Sequence, residues 1–230
     1  MKTQTKQAVQ SDKRSAKELF LRAIILLVGL FIAHLGVTLF LLADLGSDPF
    51  NVLVQGLYHS LSTRTGFSLL THGRVHVAVC FIIIIALLVI DRSYIKLGTI
   101  LCMICGGPII DLYMLLLAPI LNGCSSLLAR LFMLVIGCFI LAYGMTIVIK
   151  SDAGTGPNDL VAVVLSDKLQ KKFSITRVIV DLSFVIIGFL LGGLVGIGTI
   201  ICACFVGPVA SLFLPINERL VQRLLHKWRV

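Results

Sequence analysis

The sequence predicts an all-α fold: a polytopic membrane helix bundle of six spans, arranged as an inverted 3+3 internal repeat with two short re-entrant or interfacial half-helices. Of the 230 residues, 58% are apolar and only 13% are charged, whereas soluble domains are about half apolar and about a quarter charged. Six nearly uncharged runs have lengths that suit a hydrocarbon core of about 30 Å. These runs are 23–43, 75–90, 97–120, 131–149, 178–197 and 198–216.

The internal repeat is found when the chain is shifted by 108 residues against itself: ten of the 33 positions from Gly29 to Leu61 are then identical. Later, "RVHVAVCF" matches "RVIVDLSF" and "LGTILCMICGGP" matches "IGTIICACFVGP". Three spans in each half is an odd number, so the second half enters the membrane from the opposite side, as in many secondary transporters. The predicted divisions are a polar cytoplasmic tail (1–18), a first half (19–120), a second half (121–216) and a basic cytoplasmic tail (217–230).

The positive charges predict the orientation of the spans. The net charge is +9, and with both termini in the cytoplasm 17 of the 20 Lys and Arg fall in cytoplasmic segments. This is the bias that the positive-inside rule describes. The basic residues lie at the ends of apolar runs and form no basic face with interleaved aromatic residues, so the sequence gives no indication of nucleic-acid binding.

One turn motif follows both the first and the fourth span: "ADLGSDPFN" at 43–51 and "SDAGTGPND" at 151–159. Both contain Asp-x-Gly-x-x-Pro-x-(Asn/Asp). Gly46 and Gly154 can take the positive φ that a tight reversal requires. Asp44 and Asp152 open the two copies.

A short helix is predicted after each turn. Pro49 and Pro157 suit the first position of a helix, where no N–H is needed, and Asp48 suits the N-cap before Pro49. The segments that follow are too short to span a bilayer, which predicts either re-entrant half-helices near a cavity or amphipathic helices at the interface.

The repeated motif and one intramembrane acid supply the candidate substrate or ion site: Asp44, Gly46, Pro49, Asn51, Asp111, Asp152, Gly154, Pro157 and Asp159. Helix N-termini favour anions, whereas the carboxylates favour a cation or a proton, so the sign of the ligand stays open. Asp111 is a candidate because it lies one turn beyond a Gly-Gly-Pro break. His34 is expected to bond a neighbouring helix carbonyl or to relay a proton. Asp181 is expected to pair with Arg177 four residues earlier.

No cofactor, metal or enzymatic activity is predicted. Cys102 and Cys105 have metal-like spacing without a second pair, and cysteines in apolar runs are expected to be small buried hydrophobes. His72 and His76 have no third ligand nearby in sequence. The chain has no phosphate-binding Gly-Lys-Ser/Thr loop and none of the common hydrolase motifs.

The segment "ADLGSDPFNVLVQGL", the Thr65-Gly66 pair after it and the Gly98-Thr99 pair that opens the third span resemble the YczE/YyaS/YitT family of bacterial integral membrane proteins. The resemblance covers nearly the whole chain after the tail. Phe50 and Asn51 stand where many members have Trp-Asp, and the second copy has Asn158 in place of an aromatic residue. The resemblance implies a multi-pass protein of the bacterial plasma membrane and brings no established substrate.

Two functions follow from these patterns. The first is a small-solute permease or channel, and the alternative is a membrane accessory or regulatory protein that acts as a scaffold. A permease needs a polar path between the two half-helices, whereas a scaffold can be packed dry. The expected partners are the lipid bilayer and, for a permease, a small molecule or ion. The oligomeric state is not predicted.

Overall fold

A computed structural model describes residues 15–46, 48–65, 72–121 and 126–229. These ranges leave out residues 1–14 of the polar tail, Gly66 and Cys124. For His72 the structure describes the backbone and not the side chain. Within the described ranges every regular element is a helix.

Eight α-helices make up the described bundle, and a short 3-10 turn at Arg92–Tyr94 joins the third to the fourth. Five of them, α1, α4, α5, α7 and α8, are long and apolar enough to cross a membrane, and α3 contains a shorter apolar stretch, Val75–Ile90. The predicted class, a polytopic helical membrane bundle, is confirmed. The helices are α1 (Ala16–Ala43), α2 (Pro49–Thr65), α3 (His72–Ile90), α4 (Leu97–Leu121), α5 (Leu127–Ser151), α6 (Pro157–Leu169), α7 (Phe173–Leu190) and α8 (Ile197–Arg229).

The centre of the bundle is an antiparallel pair, α1 and α5, whose backbones approach closely at glycines. A Cβ added to Gly29 would lie 3.0 Å from the carbonyl oxygen of Gly144, and one added to Gly36 would lie 2.6 Å from that of Gly137. Small residues at such crossings allow the close van der Waals packing that holds membrane helices together. Gly29 and Gly137 are partners in the 108-residue repeat, and so are Gly36 and Gly144.

The remaining helices surround this pair. α4 packs along α1, α8 packs along α5, and α7 lies against both α2 and α8. A cluster of fully buried side chains joins α1, α5 and α8, and it includes Phe40, Leu134, Met145 and Val206. Many large apolar side chains point outward, as expected of a surface in contact with lipid.

The two halves differ in one packing contact. A Cβ added to Gly207 of α8 would lie 2.8 Å from the carbonyl oxygen of Ser174 on α7, whereas one added to Gly107 of α4 would meet nothing within 4 Å. α8 therefore packs closely on α7, while α4 barely touches α3 in the described part of the chain.

α8 continues well beyond residue 216, since the helix passes through Pro208 and Pro215 and ends at Arg229. Its later part is fixed to the end of α5. Asn217 donates to the carbonyl oxygen of Tyr143 at 3.1 Å, and Glu218 accepts from Lys150 at 2.9 Å.

Candidate functional site

Both copies of the motif form the predicted reversal. Asp44 is the C-cap residue that follows α1, with φ 48°, and Asp152 is the C-cap residue that follows α5, with φ 56°. Asp is one of the few residues other than Gly that tolerate this left-handed conformation, because its short side chain can bond locally. Gly46 has φ 123° and Gly154 has φ 149°, so both glycines take the positive φ that the sequence predicted.

Each turn docks onto the other half of the chain. The carbonyl oxygen of Leu45 accepts the N–H of Gly198 at 2.8 Å, and the carbonyl oxygen of Ala153 accepts the N–H of Gly98 at 3.0 Å. Leu45 and Ala153 are repeat partners, as are Gly98 and Gly198. The start of each half's last long helix thus holds the turn of the opposite half. Gly154 is also packed there, because its Cβ would lie 2.6 Å from the carbonyl carbon of Gly98.

Two arginines hold the turns. Arg130 donates to the carbonyl oxygen of Ala43 at 2.7 Å and to the carboxylate of Asp44 at 2.8 Å. Arg22 donates to the carbonyl oxygen of Ser151 at 2.8 Å, and the carboxylate of Asp152 lies 3.6 Å away. Sequence reasoning missed both arginines, although a signal was present: positions 22 and 130 are also 108 residues apart, upstream of the compared segment.

The two turns differ in charge. Asp152 also receives Lys96, whose ammonium contacts its carboxylate and donates to its carbonyl oxygen at 3.1 Å. The residue that matches Lys96 in the second half is Gly196. The carboxylate of Asp44 is 90% exposed and lies beside a cavity of about 520 Å³ that Gly46 and Gln55 also line.

The first half-helix, α2, has the predicted cap. Asp48 accepts the backbone N–H of Asn51 at 3.2 Å and its side-chain amide at 2.6 Å. A side-chain oxygen that accepts from an N–H of the first turn is the defining bond of an N-cap. In the second copy, α6 begins at Pro157 after Gly156 and has Asp159 in its first turn.

A buried ionic cluster lies where α6 meets α7. Arg177 donates through Nη1 to Asp159 at 2.5 Å and through Nε to Asp181 at 2.9 Å. The side chains of Arg177 and Asp181 are 7% and 1% exposed. The predicted pairing of Asp181 with Arg177 is confirmed, and Asp159 joins it from the second motif. Burying an isolated charge is costly. Here the Arg177 guanidinium serves as the partner of both carboxylates, and they serve as its partners.

Both half-helices begin near this cluster. Asp48 and Asp159 both lie close enough to Asp181 for their charges to act on it, and the same two carboxylates act on His34 of α1. Asn51 and Asp159 are repeat partners. The N-termini of the two half-helices therefore lie near the same buried cluster. They carry four of the predicted site residues: Pro49, Asn51, Pro157 and Asp159. The structure adds Asp181, a charge inside the apolar run 178–197, and Arg177, which directly precedes that run.

Other predicted site residues lie elsewhere. Asp44 and Asp152 hold the turns at opposite ends of the central helix pair. Asp111 is exposed on the outward face of α4 and does not join the cluster. His34 contacts the carbonyl oxygen of Leu30 through Nδ1 at 2.8 Å, so its bond goes to its own helix rather than to a neighbouring one.

Polar contacts also join the α3–α4 connection to the end of α6. Lys168 donates to Asp91 at 2.8 Å, and this hydrogen bond holds the pKa of Asp91 well below its usual range. Tyr94 donates to Asp167 at 3.2 Å. Burial raises the pKa of Tyr94 to about 12, and burial also raises the pKa of Asp167.

In the part of the chain that the structure describes, no group of three or more His, Cys, Asp or Glu side chains is placed to hold a metal ion. The cysteines described there are free thiols. Four of them are buried as the sequence predicted, namely Cys80, Cys102, Cys138 and Cys202, whereas Cys105 is only partly buried and Cys204 is exposed, against that prediction.

Long apolar helices with outward-facing aliphatic side chains, packed around buried ion pairs, define a polytopic helical membrane protein. The chain belongs to DUF6198, a family of unknown function, whose model matches residues 20–215. An uncharacterized protein of Haemophilus influenzae is 30% identical over 199 residues, covering 85% of this chain and 84% of the relative.

Two further relatives come from Bacillus subtilis. The uncharacterized protein YyaS is 29% identical over 193 residues, covering 84% of this chain and 92% of its own. The uncharacterized membrane protein YczE is 25% identical over 207 residues, covering 90% and 91%. These relatives confirm the family resemblance, and none of the three is described as an enzyme. No solved structure matches the fold.

Proposed function

We propose that this protein is a small-solute permease or channel of the bacterial plasma membrane, and that its translocation site is the buried cluster of Asp159, Arg177 and Asp181. The observation that carries the proposal is that both half-helices begin against α7. α6 begins there with Asp159, which pairs with Arg177. α2, capped by Asp48, places Phe50 against Phe184, about one turn beyond Asp181. Charged side chains inside membrane helices are costly and commonly mark ion or substrate pathways.

An inverted repeat is the second part of the proposal. Its support is that contacts occur in equivalent pairs: where two residues touch, their repeat partners touch as well. The recurring pairs are Gly29–Gly144 with Gly36–Gly137, Leu45–Gly198 with Ala153–Gly98, and Arg22–Ser151 with Arg130–Ala43. A two-fold axis lying in the membrane plane, between antiparallel α1 and α5, produces this exchange.

Six spans with both termini in the cytoplasm complete the proposal. Reporter fusions test it directly. A reporter joined after Arg92 or after Lys172 is expected to give a cytoplasmic signal, and one joined after Asn122 an external signal. A cytoplasmic signal at Asn122 would contradict the inverted arrangement.

Transport itself is tested with the purified full chain in liposomes. Uptake of small ions, amino acids, sugars and organic acids is compared with uptake by empty liposomes. The key variant is Asp159→Asn, which keeps the shape of the side chain and removes the charge that faces Arg177. Asp111→Asn is the matched control, since it makes the same change at an exposed carboxylate outside the cluster.

We expect wild type and the Asp111→Asn variant to move at least one probe, and the Asp159→Asn variant to lose that flux at equal protein abundance. Flux that survives in both variants would remove the cluster from the pathway. No flux above empty liposomes for any probe would overturn the permease assignment.

One observation favours the alternative scaffold function. Asp111 presents a carboxylate on the outward apolar face of α4, close to the exposed side chains of Leu112 and Leu115. A carboxylate in such a place is satisfied when a second membrane helix covers it. Absence of flux, together with loss of a co-purifying membrane protein in the Asp111→Asn variant, would favour this function over transport.

A further inference from the structure

Asp181 has one carboxylate oxygen whose bonding is incomplete. Its Oδ2 accepts from Nε of Arg177 at 2.9 Å. Its Oδ1 is buried and has no hydrogen-bond partner among the described residues. Leaving a buried acceptor unsatisfied costs about 1–3 kcal/mol, and more for a charged group. A group that binds this oxygen would therefore stabilise the folded protein.

The charges around Asp181 favour the binding of a positive group at this oxygen. The groups that face it come from every element packed nearby: Arg177 from its own helix, Asp159 from α6, Asp48 from the start of α2, and the thiol of Cys202 from α8. One guanidinium thus pairs with two carboxylates, and the charge of a third, Asp48, also acts on Asp181. A buried site with excess negative charge is stabilised by taking up a cation or a proton.

The available oxygens favour a proton over a metal cation. Asp159 Oδ1 is occupied by Arg177 and by the side-chain amide of Asn158, and both oxygens of Asp48 are occupied by Asn51. At most two carboxylate oxygens remain, Asp181 Oδ1 and Asp159 Oδ2. Hard metal cations require several oxygen ligands at once. A proton requires a single oxygen, and Asp181 Oδ1 supplies it.

We propose that Asp181 is a reversible proton-binding site, in which the carboxylate takes up one proton on Oδ1 and becomes a neutral acid that still accepts from Arg177. If the permease function holds, this proton is the coupling ion, and that part alone rests on the proposed function. The aligned residue of the first half is Ala78, so the repeat supplies one such site and not two.

Infrared difference spectroscopy of the full chain in liposomes tests the proposal without any transport step. The carbonyl stretch of a protonated carboxyl group is recorded while the pH is raised from about 5 to about 9, a range in which an exposed Asp is already ionised. Samples are wild type, Asp181→Asn and, as the matched control, Asp111→Asn. Each titration is run once in potassium chloride and once in sodium chloride.

We expect a carbonyl band that weakens as the pH rises in wild type and in the Asp111→Asn variant, and that is absent from the Asp181→Asn variant. If the Asp181→Asn variant does not fold, the Asp181→Glu variant must show the band at a shifted frequency. A wild-type spectrum without the band, or a band unchanged by substitution at Asp181, overturns the proposal.

The sodium series separates the two kinds of cation. Loss of the band in sodium chloride at a fixed pH would assign the site to Na⁺ and overturn the proton assignment. The result is also independent of the flux assay. A band that titrates, without flux, would reject the permease function and keep the proton site. Flux without the band would keep the permease function and reject the proton site.

Discussion

Gly154 is the position where the docking of a turn can be tested by a single methyl group. Its φ of 149° is a conformation that L residues rarely adopt, and strain of this kind costs about 1–3 kcal/mol. An alanine Cβ would also lie 2.6 Å from the carbonyl carbon of Gly98. The hydrogen bond from Gly98 N–H to the carbonyl oxygen of Ala153 would have to lengthen, at a cost of about 0.5–1.5 kcal/mol. Gly154→Ala should therefore destabilise the protein by about 2–4 kcal/mol.

Thermal unfolding in detergent, followed by a thiol-reactive dye, measures this loss. For a chain of this size each 1 kcal/mol shifts Tm by about 2–4 °C, so a fall of about 4–16 °C is expected. Gly107→Ala is the matched control, because Gly107 lies inside α4 and its Cβ meets nothing within 4 Å. Alanine there gains about 0.5–1 kcal/mol of helix propensity, so Tm should be unchanged or raised.

Two results would refute this reasoning. One is a Tm for the Gly154→Ala variant within about 2 °C of wild type, half the smallest shift expected. The other is an equal loss in both alanine variants. Either result would mean that the contact between the turn and the start of α4 does not contribute to stability.

Further substitutions test the ion pairs and the pH dependence of stability. Asp152→Asn removes the charge that faces two cations and should lower stability by about 1–3 kcal/mol. Asp44→Asn changes a carboxylate that is 90% exposed and should cost less than about 1 kcal/mol. Equal losses would contradict the difference in charge between the two turns. Arg177→Gln should cost about 3–5 kcal/mol, since it leaves buried carboxylates unpaired. Adding Asp181→Asn should recover part of that loss, and additive effects in the double-mutant cycle would argue against a shared cluster. Because burial raises the pKa of Asp167, its contribution to stability is present below the unfolded pKa of about 3.9 and is lost as the pH rises through the folded pKa. Asp167→Asn should flatten the fall of Tm with pH just above that value, and an unchanged pH profile would contradict the assignment.

The turns were predictable from sequence because their chemistry is local. The bond from Asp48 to Asn51 and the positive φ of Gly46 and Gly154 depend on residues within a few positions of one another. The partners of the turns were not predictable in the same way. Arg22 and Arg130 are visible in the repeat, but their contacts require knowing that α1 and α5 lie side by side in opposite directions.

The choice between Asp111 and Asp181 shows a second limit. Both are acids inside apolar runs, and the Gly-Gly-Pro break before Asp111 favours that residue as the site. Which side of a helix faces the interior is decided by what packs on it. The apolar residues of α4 surround the helix without forming one stripe, so its sequence does not show that Asp111 faces outward. α7 has a clearer one-sided pattern, and Asp181 lies on its buried side.

The exchange of turns between the halves has a consequence for how the chain can be divided. A polypeptide ending near residue 120 would contain Gly98 and the turn at Gly46, yet the partner of each lies in the second half. Such a fragment has nowhere to dock its own turn, so we expect it to be degraded when produced alone. Two fragments made together should complement each other, provided that they insert in opposite orientations. A single fragment could replace both only by pairing with a copy of itself inserted in the opposite orientation.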